Sequence, residues 1–273
     1  MSTAEHAARV PAPTGSIRAR HAGFWHDVRT VAGRALRSLP RDIEGTIPPL
    51  IVGIFFFAVV VAALGQVIQS GPGLDYEAFQ LPVAMLFSLT GLSRAPMLVI
   101  DIQSGYLDRL AVTPVHRLAL LLGLMVADLV LMFALGIGIV AVGFIAGVGF
   151  ETGPLGVLAF IALAAGWGLA YTGFPYAIAL KTGNPAAVNS SFLLFLPFVF
   201  LTTSYVPLDY MSGWLEAAAT LNPVTYLLEG MRSLITEGWE PADIAGAVAA
   251  IAGAGAVGTG LALAALRGRV SQD

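Results

Sequence analysis

The side chains that do most covalent and redox chemistry are scarce in this sequence. There is no cysteine among the 273 residues, which removes thiolate nucleophiles, thiolate metal ligands and disulfides together. The four histidines, His6, His21, His26 and His116, lie in polar segments, and no two are spaced as metal ligands. No G-x-x-x-x-G-K-[ST] loop offers backbone amides to a nucleotide phosphate, no H-E-x-x-H offers a zinc site, and no G-x-S-x-G presents a serine nucleophile. The reading is of a non-catalytic chain with no metal and no cofactor of its own. One acid, Asp128, falls inside a long apolar run. A charge there costs about 2.5–3.5 kcal/mol to insert, so Asp128 must face protein or water. Pairing with a neighbouring helix is favoured over a role in handling a proton or substrate, because a proton-coupled carrier usually has more than one such group.

Two other constellations are more specific. Between two apolar runs the chain reads Asp101-Ile102-Gln103-Ser104-Gly105-Tyr106-Leu107-Asp108-Arg109-Leu110-Ala111-Val112-Thr113-Pro114-Val115-His116-Arg117. Tyr106, Leu107, Leu110 and Ala111 recur at helical spacing, bracketed by Gly105 and Pro114. That is a short amphipathic helix fit to dock into a groove on a soluble partner. Near the other end lies Leu221-Asn222-Pro223-Val224-Thr225-Tyr226-Leu227-Leu228-Glu229-Gly230-Met231-Arg232, within a segment, about 208–240, too apolar for a free loop and too interrupted by Gly213, Pro223, Gly230 and Gly238 to cross a membrane. It reads as a pair of short helices resting on or dipping into one leaflet, which satisfies its backbone without crossing. Phe56 and Phe57 in one run and Phe195 and Phe198 in another are candidates to line an apolar path, although such residues also pack between helices or face lipid.

The elements that position these residues follow from composition. Hydrophobic residues make up 57% of the chain and charged residues 11%, with a mean hydropathy of +0.81. Soluble domains carry about 25% charged residues, so most of this surface must face lipid. The formal net charge of −3 argues against a nucleic-acid partner. Six runs are long enough to cross about 30 Å of hydrocarbon as helices: roughly 47–69, 78–100, 117–148, 154–180, 186–207 and 242–266. They lack the period-two alternation of barrel strands. The third is too long for one straight crossing. Residues 1–45 form a tail and an amphipathic interfacial helix, with Phe24, Trp25, Val28, Val31, Ala32, Ala35, Leu36 and Leu39 on one face and arginines on the other; residues 46–273 form the membrane domain. If the basic N-terminus is cytoplasmic, thirteen of the fourteen Lys and Arg lie inside, as the positive-inside rule expects. Both termini are then cytoplasmic and only Arg232 is external.

The stretch Gly105-x-Leu107-x-Arg109-Leu110-x-x-Thr113-Pro114-Val115-x-Arg117 resembles the coupling-helix motif of the ABC-2 type permeases. The run from Phe198 to Leu208 followed by Leu221 to Leu234 is similar to that family's external hallmark. The order of elements matches too, over nearly the whole chain, and the likeness is nearest to the drug-export branch typified by daunorubicin-resistance permeases. A family proline is absent where Met211-Ser212-Gly213 stand, which leaves open where the first external helix starts. The resemblance implies an all-α integral membrane protein of six transmembrane helices, with an interfacial helix, a coupling helix and external re-entrant helices between spans five and six. It implies separate ATPase subunits that bind ATP and magnesium, a second permease chain, a homodimer being favoured, and a hydrophobic small-molecule cargo moved outward across the bacterial cytoplasmic membrane. Gly105, Leu107, Arg109, Leu110, Thr113 and Pro114 would couple to the ATPase; Asn222, Pro223, Tyr226, Glu229 and Arg232 would form the external motif. A lipid-linked glycan or lipid exporter of the same family is the alternative. A membrane enzyme would need clustered acids at depth, and a secondary carrier an inverted pair of broken helices.

Overall fold

A computed structural model describes residues 23–39, 43–69, 75–105 and 117–270. Every regular element among them is helical. In chain order these are α1 (Phe24–Ser38), α2 (Ile43–Gln69), α3 (Tyr76–Leu89), α4 (Ala95–Gln103), α5 (Arg117–Ile145), α6 (Gly153–Tyr171), α7 (Gly173–Thr182), α8 (Pro185–Asn189), α9 (Phe195–Phe200), α10 (Trp214–Leu221), α11 (Pro223–Thr236) and α12 (Pro241–Val270). Short 3₁₀ turns at Ser190–Leu194 and Leu208–Tyr210 complete the set.

The core is built around α3. Its sequence YEAFQLPVAMLFSL is largely apolar on every side, and all its residues but Glu77 are buried, as befits a helix without a continuous polar face. It packs against α2, α5, α6 and α11. The outer helices divide their faces instead. Along α5, Leu124, Asp128, Leu131, Met132, Leu135 and Ile139 point inward, whereas Leu118, Leu122, Val126 and Val130, four residues apart, are exposed. Exposed large apolar side chains recur along α2 (Ile47, Ile51, Phe55), α5 and α12 (Val248, Val257, Leu261), the mark of a membrane-facing surface.

Four stretches are long and apolar enough to cross a membrane: Gly45–Gln66, Leu118–Ile145, Gly153–Thr182 and Pro241–Gly268. They coincide with the first, third, fourth and sixth sequence-predicted spans. At 29 residues, α5 is about 44 Å long, so it exceeds a straight crossing, and Gly147, at φ 95°, ends the segment. Gly147 therefore turns the chain and meets no neighbour, unlike Gly143, which lies against Leu81.

The other two predicted spans are not continuous helices. The second, expected over 78–100, divides into α3 and α4 with a non-helical break at Thr90–Arg94. Gly91 adopts φ 89°, and a Cβ there would sit 2.8 Å from Phe192 Cδ2, so the break needs a glycine twice over. The fifth, expected over 186–207, becomes α8, a 3₁₀ turn and α9, then leaves helical geometry at Leu201. The two breaks lie against each other through the Gly91–Phe192 contact.

The amphipathic face of α1 is also placed differently from the interfacial expectation. Val28, Val31, Ala32 and Ala35 are buried against α5, while Trp25 is 73% exposed. The apolar face covers protein, and of the residues expected on that face only Trp25 is exposed.

Candidate functional site

At one end of the bundle stand the turns at Gly105 and Gly183. Gly105, at φ 66°, closes α4, and the other residues expected to couple to an ATPase, Leu107, Arg109, Leu110, Thr113 and Pro114, lie outside the described residues. What the structure shows is the mount from which that segment springs. Arg34 of α1 forks onto Asp101 of α4, at 3.1 Å to Oδ1 and 2.5 Å to Oδ2. Gln103 Nε2 donates to the Gly183 carbonyl at 2.9 Å. These bonds tie the last turn of α4 to α1 on one side and to the α7–α8 turn on the other.

The first turn of α4 is held from within the bundle. Asp128, fully buried on α5, accepts from the Arg94 backbone N–H at 2.8 Å and from the Tyr176 hydroxyl at 2.5 Å. A free amide at a helix start deep in a bundle is costly, and the carboxylate satisfies it across three helices. Asp128 is thus paired between helices. Sequence reading alone could not name Tyr176 as its partner, because 48 residues separate them.

The opposite end carries the Asn222 motif. Pro223 opens α11 at a position where a missing N–H is harmless. Asn222 caps that helix by accepting from the Val224 N–H at 3.0 Å. Its amide donates to the carbonyls of Phe198 at 2.7 Å and Leu201 at 2.9 Å, satisfying the orphaned end of α9. Tyr226 donates to Thr220 O at 2.7 Å, closing α10 onto α11. Arg232 is buried and donates through all three guanidinium nitrogens: Nε to Phe79 O (3.2 Å), Nη1 to Thr203 Oγ1 (2.9 Å) and Nη2 to Thr203 O (2.7 Å). Its guanidinium carbon also lies 3.5 Å from the Phe79 ring centroid, a cation–π contact. Burial draws its pKa down to about 9, which leaves it charged at neutral pH. Glu229, half-buried one turn earlier, is pushed above the usual carboxylate range by burial, with Arg232 opposing and Asp243, Asp209 and Glu237 adding to the rise.

Around Arg232 the sequence reading missed two residues. Gln80 Nε2 donates to the Tyr76 hydroxyl (2.8 Å) and to Ser204 O (2.9 Å), and Tyr76 in turn donates to Tyr205 O (3.2 Å). The signal was a glutamine inside a run otherwise apolar from Phe79 to Phe87. Together Asn222, Arg232, Gln80 and Tyr76 clasp the irregular strand of chain at 201–205 to α3 and α11.

Of the four phenylalanines proposed to line a path, Phe195 and Phe57 are buried in the core. Phe56 is half-buried and stacks on Phe87 with ring centroids 4.3 Å apart. Phe198 is exposed. Phe195 makes edge contacts with both Phe87 and Tyr171. Among the described residues, no group of three or more acidic or imidazole side chains is arranged to hold a metal.

Residues 26–236 match the family described as ABC-2 type transporter. A doxorubicin resistance ABC transporter permease protein of Mycobacterium tuberculosis is 27% identical over 212 residues, covering 75% of each chain. A daunorubicin resistance ABC transporter permease protein of Streptomyces coeruleorubidus is 25% identical over 244 residues, covering 86% of this chain and 81% of its own. The matched region runs from α1 through the last turn of α11, so it contains the α4 mount, the Asp128 anchor and the Asn222–Arg232 clasp in one continuous unit, and the chain belongs to the ABC-2 type transporter family of permeases.

Proposed function

We propose that the chain is the permease subunit of an ATP-driven exporter that moves amphipathic drugs, antibiotics or lipid-like molecules outward across a bacterial cytoplasmic membrane. The observation that carries this reading is the family match across residues 26–236, with relatives named for resistance to doxorubicin and daunorubicin. On this reading the chain crosses six times, the two broken segments each counting as one crossing. The Gly105 end is cytoplasmic and the Asn222 end external. ATP and magnesium are bound by a separate ATPase subunit, and two permease chains, identical in the favoured form, complete the pore.

The ATPase can bias the permease only through contacts that differ between its own two states. Those contacts fall to the segment from Gly105 to Pro114, with Leu107 and Leu110 seated in the ATPase groove and Arg109 at its rim. The bracing of α4 by Arg34, Gln103 and Asp128 supports this assignment, because a docking segment mounted on a loose helix would lose the displacement it receives.

The test is to co-express the chain with the P-loop ATPase of the neighbouring reading frame and follow complex formation, ATPase stimulation and cellular accumulation of daunorubicin. The expected outcome is a co-purifying complex and lowered accumulation, with both lost on Leu107→Asp or Arg109→Glu. Transport by the purified chain with no ATPase present would refute the reading.

A further inference from the structure

α7 and α12 run in the same direction and touch backbone to backbone where they cross: a Cβ on Gly173 would lie 2.2 Å from the carbonyl carbon of Gly258. Beyond that crossing, toward the Gly105 end, the two helices form the walls of a groove of about 830 Å³. α7 contributes Phe174, Ala177, Ile178 and Lys181, spaced by three and four along the helix, with Leu180 and Thr182 of its last turn beside Lys181. α12 contributes Leu261, Ala264, Ala265 and Gly268 at the same steps. The alanines and the glycine make a smooth floor, and Phe174, Ile178, Leu261 and Leu194 make apolar flanks. Polarity changes along the groove: it is apolar near the crossing and ends at Lys181, which is exposed, with Arg267 beside Gly268 in the chain. No carboxylate is among the lining residues.

We propose that this groove binds an anionic phospholipid of the cytoplasmic leaflet, its acyl chain along the alanine floor and its phosphate on Lys181. The inference rests on the topology given above, which places Lys181 at the cytoplasmic surface. The charge pattern matches the ligand at both ends: an apolar trough about 10 Å long, seven helical residues at 1.5 Å each, leading to an uncompensated cation at headgroup depth. Basic pockets between spans on the cytoplasmic side are where anionic headgroups are held. A second copy of the chain is a poor occupant, because in a two-fold contact each subunit meets the same surface. A concave groove cannot fill its own copy, and the two Lys181 ammonium groups would be brought together.

The experiment titrates the purified full chain in detergent with phosphatidylglycerol or phosphatidylcholine and counts bound lipid by native mass spectrometry. Phosphatidylglycerol should bind more tightly. Lys181→Gln should weaken phosphatidylglycerol about fivefold, the effect of one basic residue near an anionic surface, and leave phosphatidylcholine unchanged, while Lys181→Arg keeps the preference. Ala264→Phe, which fills the floor, should lower both; the Lys181 pair carries the test if that variant does not fold. Equal affinity for phosphatidylglycerol in the wild type and Lys181→Gln overturns the proposal. Displacement of the lipid by daunorubicin overturns it in favour of cargo, and loss of a dimer on Ala264→Phe overturns it in favour of a second copy. The topology is read separately: in this cysteine-free chain, Lys181→Cys should react with an impermeant maleimide only from the cytoplasmic side. Labelling from outside refutes the topology, whereas loss of lipid selectivity refutes the site.

Discussion

At the scale of residues, two buried polar groups hold the molecule by different kinds of bond, and a half-buried third opposes them. Asp128 accepts from the Arg94 amide and the Tyr176 hydroxyl. An asparagine keeps one acceptor oxygen for Arg94, and its amide can donate to a Tyr176 hydroxyl turned to accept. Asp128→Asn should therefore retain expression and transport, whereas Asp128→Leu should lose about 2 kcal/mol through the stranded amide and hydroxyl, read as a lower midpoint of thermal unfolding in detergent. Loss of transport by a well-folded Asp128→Asn would show that the carboxylate handles a proton or substrate. Arg232 gives a sharper contrast. Arg232→Met fills similar space yet removes every donor to Phe79 O and Thr203, so it should cost about 2–3 kcal/mol, the range for hydrogen bonds from a charged group. Glu229 works in the opposite sense. Burial raises its pKa above the ordinary 4.5, so above pH 4.5 the unfolded chain releases this proton more readily than the folded one. Its contribution is neutral below that pH and becomes destabilising as pH rises to the folded value. Glu229→Gln should be more stable than wild type at pH 8, with the difference vanishing below pH 4, in paired thermal unfolding curves.

At the scale of elements, legibility in the sequence tracked continuity. The spans at α2, α5, α6–α7 and α12 are uninterrupted apolar runs, and hydropathy alone reads them. The divisions of the second and fifth spans were not legible. Neither is written in propensity: Gly91 could as well sit inside a membrane helix, and what opens the chain there is Asp128, 37 residues on, together with the ring of Phe192. The interfacial helix was read correctly as amphipathic but not in what it covers, because periodicity names a buried face and not its neighbour. The Asn222–Arg232 motif was recognisable, while of its two supporters Gln80 lay in a run read as simply apolar and Tyr76 in the polar connection just before it. Element packing also makes a prediction. Gly173→Ala places a methyl against the Gly258 backbone and should force α7 and α12 apart, costing about 1–3 kcal/mol as overpacking does. Gly260→Ala, on the same helix with nothing within 4 Å of its Cβ, should be neutral or gain up to about 1 kcal/mol. Thermal midpoints of the two variants in detergent separate packing at the crossing from a general effect of glycine content.

At the scale of the whole molecule, most charged groups divide between two ends, while Asp128 and its partners Arg94 and Tyr176 are buried within the bundle. Arg34, Asp101, Gln103 and Lys181 gather at one end; Asp75, Asp209, Glu229, Glu237 and Asp243 gather at the other around Arg232. Arg232 fits an external position because its charge is absorbed by Thr203 and Phe79 and is not exposed as a topological signal. With no native cysteine, the orientation can be mapped one thiol at a time. Trp214→Cys, 74% exposed at the Asn222 end, should react with an impermeant maleimide in intact cells. Gln103→Cys should react only after the membrane is opened. The reverse pattern would invert the molecule and remove the coupling role from the Gly105 segment.

The divided second span has a mechanical consequence. α4 is nine residues, about 14 Å, and is pinned at its first turn by Asp128 and at its last by Arg34 and Gln103. A rod fixed at both ends passes a push along its length and yields only beyond its pins. Past Arg94 lies the non-helical Thr90–Ser93 linkage, where among the described residues no side chain of another helix accepts a backbone N–H as Asp128 does at Arg94. The bonds there are local ones, Thr90 N–H to Leu86 O and Leu92 N–H to Leu89 O. If a partner pushes at Gly105 as proposed, the shove should emerge as a swing at Gly91, against the ring of Phe192, so the crank of this molecule would turn where its two broken segments meet.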